Sequence, residues 1–416
     1  MPRSADANAC RTCVRRRVKC DGKLPICERC SKRDIYCDRT ARIVLRHYKP
    51  RGSVDLSPPE GTPRELLKQA QIAQLFHVYI KELAPSYDLN DEDRAFEREG
   101  AEKALESPLL FSAAIAFSAI YMHRKAAFRR TIAETYHDRC LKLLIALSCD
   151  DEAVSDGTAL ASCCLLRSYE LLSEDEDPNR HLFGASTLVP APPSLSDHSL
   201  LASGFWNYLR EDISYSLFHD CPLKVHVDRV NLIERRDDEC ANGISLLLAR
   251  AINVVFGDAI DDVLPDIDSW RKRYAREPFS RIEGETFPIV KMAKDCHASA
   301  MHYYYVAKCM LQSEDRPALA AEIIGLAMHS ESASVIINAY GPITYSGQYL
   351  VSGQQRQALI AYLQSTDRKT QWSLDFIIQR LKKKWATADA SNNQSSPHPS
   401  EPSPLAQASP DLKVSG

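Results

Sequence analysis

The chain has 416 residues, and its 52 Lys and Arg nearly balance 55 Asp and Glu, for a formal net charge of −3. This balance hides two opposite regions, because residues 1–50 hold 14 basic and 5 acidic residues (+9), whereas the remainder holds 38 basic and 50 acidic residues (−12). The start of the chain lacks the basic stub and apolar core of a signal peptide, and eight of the 14 cysteines show no repeated spacing. We therefore expect a reducing compartment and exclude a secreted disulfide framework.

The other six cysteines form the most informative pattern. Within 28 residues they follow the spacing C-x2-C-x6-C-x6-C-x2-C-x6-C, as Cys10, Cys13, Cys20, Cys27, Cys30 and Cys37. Six thiolates fill the eight coordination positions of two tetrahedral Zn²⁺ ions if two of them bridge. So short a segment cannot gain enough stability from an apolar core, and zinc would supply it. An iron–sulfur cluster is the alternative, but four-cysteine sites do not explain six cysteines in two equal halves.

Basic residues surround these cysteines, and 14–19 read Val-Arg-Arg-Arg-Val-Lys. A compact cationic face favours a polyanion, because each phosphate that it neutralises releases a counterion. A solvated basic arm is the alternative. Zinc would instead fix a short helix that can enter a major groove, which favours binding to double-stranded DNA.

Residues 10–37 resemble the fungal Zn2Cys6 binuclear-cluster DNA-binding domain. The resemblance implies that Cys10 and Cys27 bridge both ions, that Cys13 and Cys20 complete one site, and that Cys30 and Cys37 complete the other. It also places Pro25 in the loop between the halves.

The same resemblance indicates which side chains contact DNA at CGG triplets. Arg17 is the predicted base-reading residue, with Arg16 and Lys19 beside it, because arginine pairs bidentately with guanine O6 and N7. Phosphate contacts position a domain without specifying sequence. The residues predicted to make them are Arg11, Arg15, Lys23 and Lys32. Val14 departs from the family pattern, which has a basic residue there.

After the cluster, a basic linker is predicted to lead to a capping box at Thr62, where a helix begins and runs to Pro85. The apolar run 109–120 predicts a buried core helix, too short to span a bilayer. Further helices are predicted at 126–148, 157–173, 200–219, 243–257, 285–312, 317–340, 353–364 and 367–386. The predicted fold is thus a small Zn2Cys6 binuclear cluster domain followed by a large all-α regulatory domain and a disordered C-terminal tail. The boundaries are a disordered N-terminus at 1–9, the cluster at 10–38, the linker at 39–61, the all-α domain at 62–386 and the tail at 387–416.

Four segments of the helical region resemble the fungal-specific transcription factor domain of ARCA-like Zn2Cys6 regulators: 75–85, 161–175, 180–185 and 205–213. Together the two resemblances cover 10–385. They imply a nuclear transcription regulator of RNA polymerase II genes, controlling a pathway or a secondary-metabolite gene cluster.

No HExxH, Walker A, GxSxG or GxGxxG motif occurs, so we expect no enzyme activity, and Cys163 and Cys164 are predicted to be buried structural thiols. The alternative function is a protein-interaction or co-regulator module whose zinc arm binds nucleic acid nonspecifically. The partners left open are a second copy of the chain, a small-molecule effector, and a coactivator that would contact the acidic and apolar segment 258–270. A membrane partner is not expected.

Overall fold

The computed structural model describes residues 12, 13, 16, 18–21, 27–33, 60–147, 151–173, 179–186, 188–227, 236–274, 276–312 and 315–394, with backbone alone at 368, 369 and 392–394. The predictions for the disordered N-terminus, for 39–59 of the linker and for the tail from 395 onward lie outside these residues.

Helices dominate the described chain after the linker. They are α1 Glu28–Ser31, α2 Pro63–Leu66, α3 Ala70–Val78, α4 Ala84–Tyr87, α5 Ala101–Ala104, α6 Pro108–Arg124, α7 Arg130–Ala146, α8 Glu152–Ser155, α9 Thr158–Ser173, α10 Arg180–Ala185, α11 Leu200–His219, α12 Asp237–Phe256, α13 Leu264–Arg273, α14 Asp295–Leu311, α15 Arg316–Met328, α16 Ala333–Asn338, α17 Tyr340–Ser346, α18 Gly353–Thr370 and α19 Asp375–Gln394. Two π-helical turns, Tyr79–Leu83 and Phe96–Gly100, and a 3-10 turn, Gly347–Tyr349, complete the helical elements. The prediction of a zinc cluster region followed by a largely helical domain is confirmed.

Helix α6 lies at the centre of the first half of this domain. Residues 109–120 are all buried, as predicted, because the helix is apolar on every side. It packs along α7 and α9. Helix α11 contacts α9 on one side and α12 and α17 on the other, and α12 packs along α14. Helix α11 therefore joins the two halves of the domain.

Helix α12 is the single described helix that, by its own length and apolar composition, could cross a membrane. Of its most apolar stretch, 72% is buried inside the fold. Its apolar surface is accounted for by the packing of the domain.

The predicted helix start at Thr62 is confirmed, but the prediction of one helix that ends at Pro85 is wrong. Helix α2 ends at Leu66, and Gln69 is extended before α3 begins at Ala70. The Thr62 N–H donates to the Glu65 carboxylate at 2.8 Å, and the Glu65 N–H donates to the Thr62 hydroxyl at 3.3 Å. The chain remains helical through Tyr87 because the π turn Tyr79–Leu83 precedes the proline, which then lies in the first turn of α4. A proline at that position has no intrahelical hydrogen bond to lose.

The prediction of one helix over 285–312 is also wrong in its first third. Residues Ser280–Ile282 and Ile289–Lys291 form an antiparallel hairpin, β1 and β2, with Arg281 opposite Val290. Pro288 and a tight turn at Gly284 interrupt helical hydrogen bonding there, and α14 begins at Asp295. This hairpin is an exception to the all-α prediction.

Three boundaries near the carboxyl end differ from the predictions. The predicted helix 317–340 is divided, because Ser332 caps a new helix after α15 ends. Helix α18 continues to Thr370, where Gln371 takes the left-handed conformation. Residues 387–394, predicted to belong to the disordered tail, are helical, and the Arg356 guanidinium pairs with the Asp389 carboxylate at 2.7 Å.

Candidate zinc centre and nucleic-acid interface

Four of the six predicted zinc ligands lie within the described residues, and their side chains are buried together. Cys13, Cys20, Cys27 and Cys30 are each less than a tenth exposed. Cys27 caps α1 in an extended conformation, and Cys30 lies three residues further on within that helix. This spacing brings both thiols to one side of the turn. Cys10 and Cys37 lie outside the described residues.

The distances between these thiols fit zinc. Two thiolates on one tetrahedral zinc ion, with Zn–S bonds of about 2.3 Å, lie about 3.8 Å apart. The Cys13 sulfur lies 3.7 Å from the Cys27 sulfur and 4.0 Å from that of Cys30. Cys27 also lies within ligand distance of Cys20. Cys27 is common to both groups of side chains within ligand distance, one of Cys13, Cys27 and Cys30 and the other of Cys20, Asp21 and Cys27. These groups place Cys13 with Cys30, whereas the predicted assignment places Cys13 with Cys20.

Asp21 stabilises this arrangement and was not identified from the sequence. Its two carboxylate oxygens each accept the Glu28 N–H at 3.2 Å, so the chain after Cys20 is held at the start of α1. A carboxylate is favourable at a helix N-terminus because the backbone N–H groups there lack other partners. An aspartate directly after the third cysteine of the motif is the signal that could have revealed it.

The cationic side chains around the buried thiols are exposed to solvent. Arg16, Lys19 and Lys32, predicted to contact DNA, are exposed, as are Arg29 and Arg33. Lys32 forms an ion pair with Glu28 at 3.5 Å across one turn of α1, and both side chains remain largely in solvent. Such exposed pairs contribute little, so Lys32 is available to a phosphate.

The remaining predicted DNA contacts lie outside the described residues. These are Arg11, Arg15, Arg17 and Lys23. What the structure does describe is a sulfur interior with a cationic exterior, on a segment of about twenty residues.

In the helical domain, the segments singled out in the sequence meet around one buried carboxylate, that of Glu170 in α9. It accepts the backbone N–H groups of Arg180 and His181 at 3.0 and 3.2 Å. It also pairs with the guanidinium groups of Arg167, at 3.4 Å, and Arg180, at 3.0 Å. Glu170 therefore anchors α10 to α9.

A second contact joins α11 to this group, because the Tyr208 hydroxyl donates to the Leu182 carbonyl of α10 at 2.7 Å. Three of the four resembling segments thus form one packed unit.

The family comparisons agree with both parts of this structure. Residues 8–44 match the fungal Zn(2)-Cys(6) binuclear cluster domain, and residues 74–217 match the fungal specific transcription factor domain. The chain carries the two domains of fungal Zn(2)-Cys(6) transcription regulators. No curated protein and no solved structure matches it.

The zinc cluster of this regulator holds two zinc ions and binds DNA. The described thiols are four of the residues that would hold the ions, and the chemistry that zinc supplies here is structural, because a closed thiolate site leaves no open coordination position. Both matched families are families of transcription factors, so the regulator is not an enzyme.

The adjacent thiols of α9 agree with this conclusion. Burial raises the pKa of Cys163 to about 12, and it raises the pKa of Cys164 well above the usual value. Both side chains remain protonated at neutral pH and lack the thiolate that a nucleophile requires.

The segment 258–270 is mostly used within the fold of the regulator. Ile267 and Trp270 are buried, and the Arg250 guanidinium pairs with the carboxylates of Asp261 and Asp266 at 2.7 and 2.8 Å. Ile260 is the exposed large apolar side chain of this segment. The described contacts favour a connection between helices over a coactivator site.

Proposed function

We propose that the regulator is nuclear and reads CGG-type sites in double-stranded DNA, with Arg17 as the base-reading residue. The observation that carries the proposal is the arrangement of the zinc segment, in which buried thiols at zinc-ligand distances support an exposed set of cations. A metal-fixed scaffold presents cations in a constant register on the duplex, which a solvated arm does not.

The proposed ligand assignment makes Cys10 and Cys27 bridge the two ions. The short distances from Cys27 to thiols of both halves support its shared role. The helical domain serves as the regulatory part of the chain, and a second copy of the chain is the proposed partner on sites with two triplets. Control of a pathway or a biosynthetic gene cluster is proposed from the family alone.

The decisive experiment is a selection of bound sequences from random duplex DNA with the full-length, zinc-loaded protein. We expect enrichment of CGG-containing sites that disappears after chelation of zinc. The spacing of the enriched triplets reports whether one copy or two copies bind. Enrichment of no sequence, with equal binding to scrambled duplex, would favour the alternative of an interaction module with a nonspecific zinc arm.

A pair of variants separates base reading from phosphate contact. Arg17→Ala should weaken binding to the selected site by about 1–3 kcal/mol and relax the preference for one guanine. Lys32→Ala is the matched control, because loss of a phosphate contact should weaken binding equally on all sequences and reduce the salt dependence by about one ion. An equal loss on all sequences for Arg17→Ala would remove its base-reading role.

A further inference from the structure

A cavity lies where the two halves of the helical domain meet. It leaves about 110 Å³ of space between α4, α6, α9 and α11 on one side and α16 on the other. Its apolar wall includes Leu83, Phe117, Leu172 and Ile337. An apolar cavity of about 150 Å³ is known to bind benzene, so this smaller one has room for a molecule of about four to six non-hydrogen atoms.

One charged group lies at this apolar wall. Arg210 of α11 lines the cavity and is only 7% exposed. Its Nη2 group donates to the Tyr87 carbonyl at 3.0 Å and to the Asn207 side-chain oxygen at 2.6 Å. These two bonds fix the plane of the guanidinium and leave the N–H groups on Nε and Nη1 without a described partner.

The buried guanidinium groups of Arg167 and Arg250 have carboxylate partners, whereas that of Arg210 has none among the described residues. Within the described residues, no Asp or Glu oxygen lies within 4 Å of its guanidinium, and its two hydrogen bonds go to neutral oxygens. Burial lowers its pKa, since the charged form is poorly solvated there. A buried cation without a counterion is costly, and an anion in the cavity would remove that cost.

The acidic groups of the cavity are already paired. Glu82 accepts from Lys125 at 2.9 Å, and Glu211 lies 3.5 Å from Arg167. Asp88, which is near enough to interact with Arg210, accepts the backbone N–H groups of Phe96 and Glu97, and burial raises its pKa to about 7. Of the charged side chains described at the cavity wall, Arg210 is therefore the one without an ion-pair partner.

We propose that this cavity binds a small organic carboxylate, with the carboxylate on Arg210 and an aliphatic body against the apolar wall. A carboxylate oxygen can accept a charge-assisted hydrogen bond from the Nε or the Nη1 group of Arg210. The ligand contacts both halves of the domain, so binding stabilises their packing. Binding of a carboxylate is independent of the proposed function, and only a role of that ligand in gene regulation rests on it. A failed DNA selection would leave the binding result below unchanged.

The test uses propionate and butyrate as probes, with propionamide and butyramide as neutral molecules of the same size. Each is titrated into the full-length, zinc-loaded protein at constant ionic strength and followed by ligand-observed NMR. A ligand of this size should bind with a dissociation constant on the order of 1 mM. The carboxylates should bind about 10- to 100-fold more tightly than their amides, because they form charge-assisted hydrogen bonds.

Two variants locate the site. Arg210→Gln should remove most of the preference for carboxylate over amide. If this variant does not fold, Ala333→Phe tests the location of the site instead. Ala333 is an exposed residue at the cavity wall, and a phenyl group there fills the entrance without changing Arg210. Ala361→Phe is the matched control, since Ala361 is equally exposed on α18 but does not line the cavity.

Loss of carboxylate binding in Ala333→Phe, with retention in Ala361→Phe, would support the proposal. Absence of carboxylate binding to the unmodified protein, equal affinity for acids and amides, or retained binding in Ala333→Phe would each overturn it.

Discussion

Replacing Gly157 with alanine should strongly destabilise the helical domain. Gly157 precedes α9 and has a φ of +86°, a conformation that alanine rarely adopts. A methyl group there would lie 2.6 Å from the Leu201 Cα and 2.8 Å from the carbonyl carbon of Leu200. Both atoms belong to the backbone of α11, so the contact cannot be relieved by rotating a side chain.

The magnitude follows from these two effects. A left-handed non-glycine residue costs about 1–3 kcal/mol, and displacing packed neighbours costs another ~1–3 kcal/mol. Gly157→Ala should therefore lower the free energy of unfolding by about 2–6 kcal/mol, a large share of the roughly 5–15 kcal/mol of an ordinary domain.

Gly353 provides the matched control. It occupies the first position of α18, and no atom lies within 4 Å of an added methyl group. Gly353→Ala should leave stability unchanged or raise it by about 0.4–1 kcal/mol, because it restricts the unfolded chain. Urea unfolding of the zinc-loaded protein, followed by far-ultraviolet circular dichroism, gives both values. A loss below about 1 kcal/mol for Gly157→Ala, or equal losses for both variants, would refute the assigned contact between α9 and α11.

Three further variants test other parts of the structure. Cys27→Ser should release both zinc ions, measured as bound zinc per chain, and retention of one tightly bound ion would contradict a bridging role. Burial lowers the pKa of His302 to about 4 from an unfolded value of about 6.5. The neutral imidazole therefore stabilises the fold fully above pH 6.5, and about 3 kcal/mol of the free energy of unfolding is lost as the pH falls to 4. His302→Gln should flatten that part of the stability profile, whereas His77→Gln, at an exposed position, should not. Glu170→Ala should lower the free energy of unfolding by about 3–5 kcal/mol because it leaves buried cations without their carboxylate. Glu134→Ala, in a partly exposed pair, should lower it by less than about 1 kcal/mol. Equal losses for both variants would contradict the anchoring role of Glu170.

Helices with strong local signals could be predicted from the sequence. The prediction of 200–219 matches Leu200–His219, and 157–173 matches Thr158–Ser173, because serine caps or long apolar faces mark them. Helix α12 begins six residues before its predicted start, since the acidic first turn at Asp237 interacts favourably with the helix N-terminus and is not apolar. The end at Pro85 was wrong because a π turn has no single-residue signature.

The residues of the candidate sites also differ in how far they could be predicted from the sequence. The zinc ligands could be predicted because metal coordination fixes their spacing along the chain. Asp21 and Arg210 could not, since each acts through distant partners. Arg210 lies 123 residues from the carbonyl to which it donates. A charged residue within the aromatic run 205–213 is the signal that such a site leaves in a sequence.

The π turn at Tyr79–Leu83 makes this region sensitive to deletions. A π turn holds one residue more than the equivalent α-helical turn, so loss of one residue would regularise the helix and rotate everything after it by about 100°. Tyr87, whose hydroxyl lies 2.6 Å from that of Ser168 and whose carbonyl accepts from Arg210, would then face another side of the domain. Relatives that retain this cavity should therefore tolerate substitutions at the exposed positions between Val78 and Tyr87 but not gaps of a single residue.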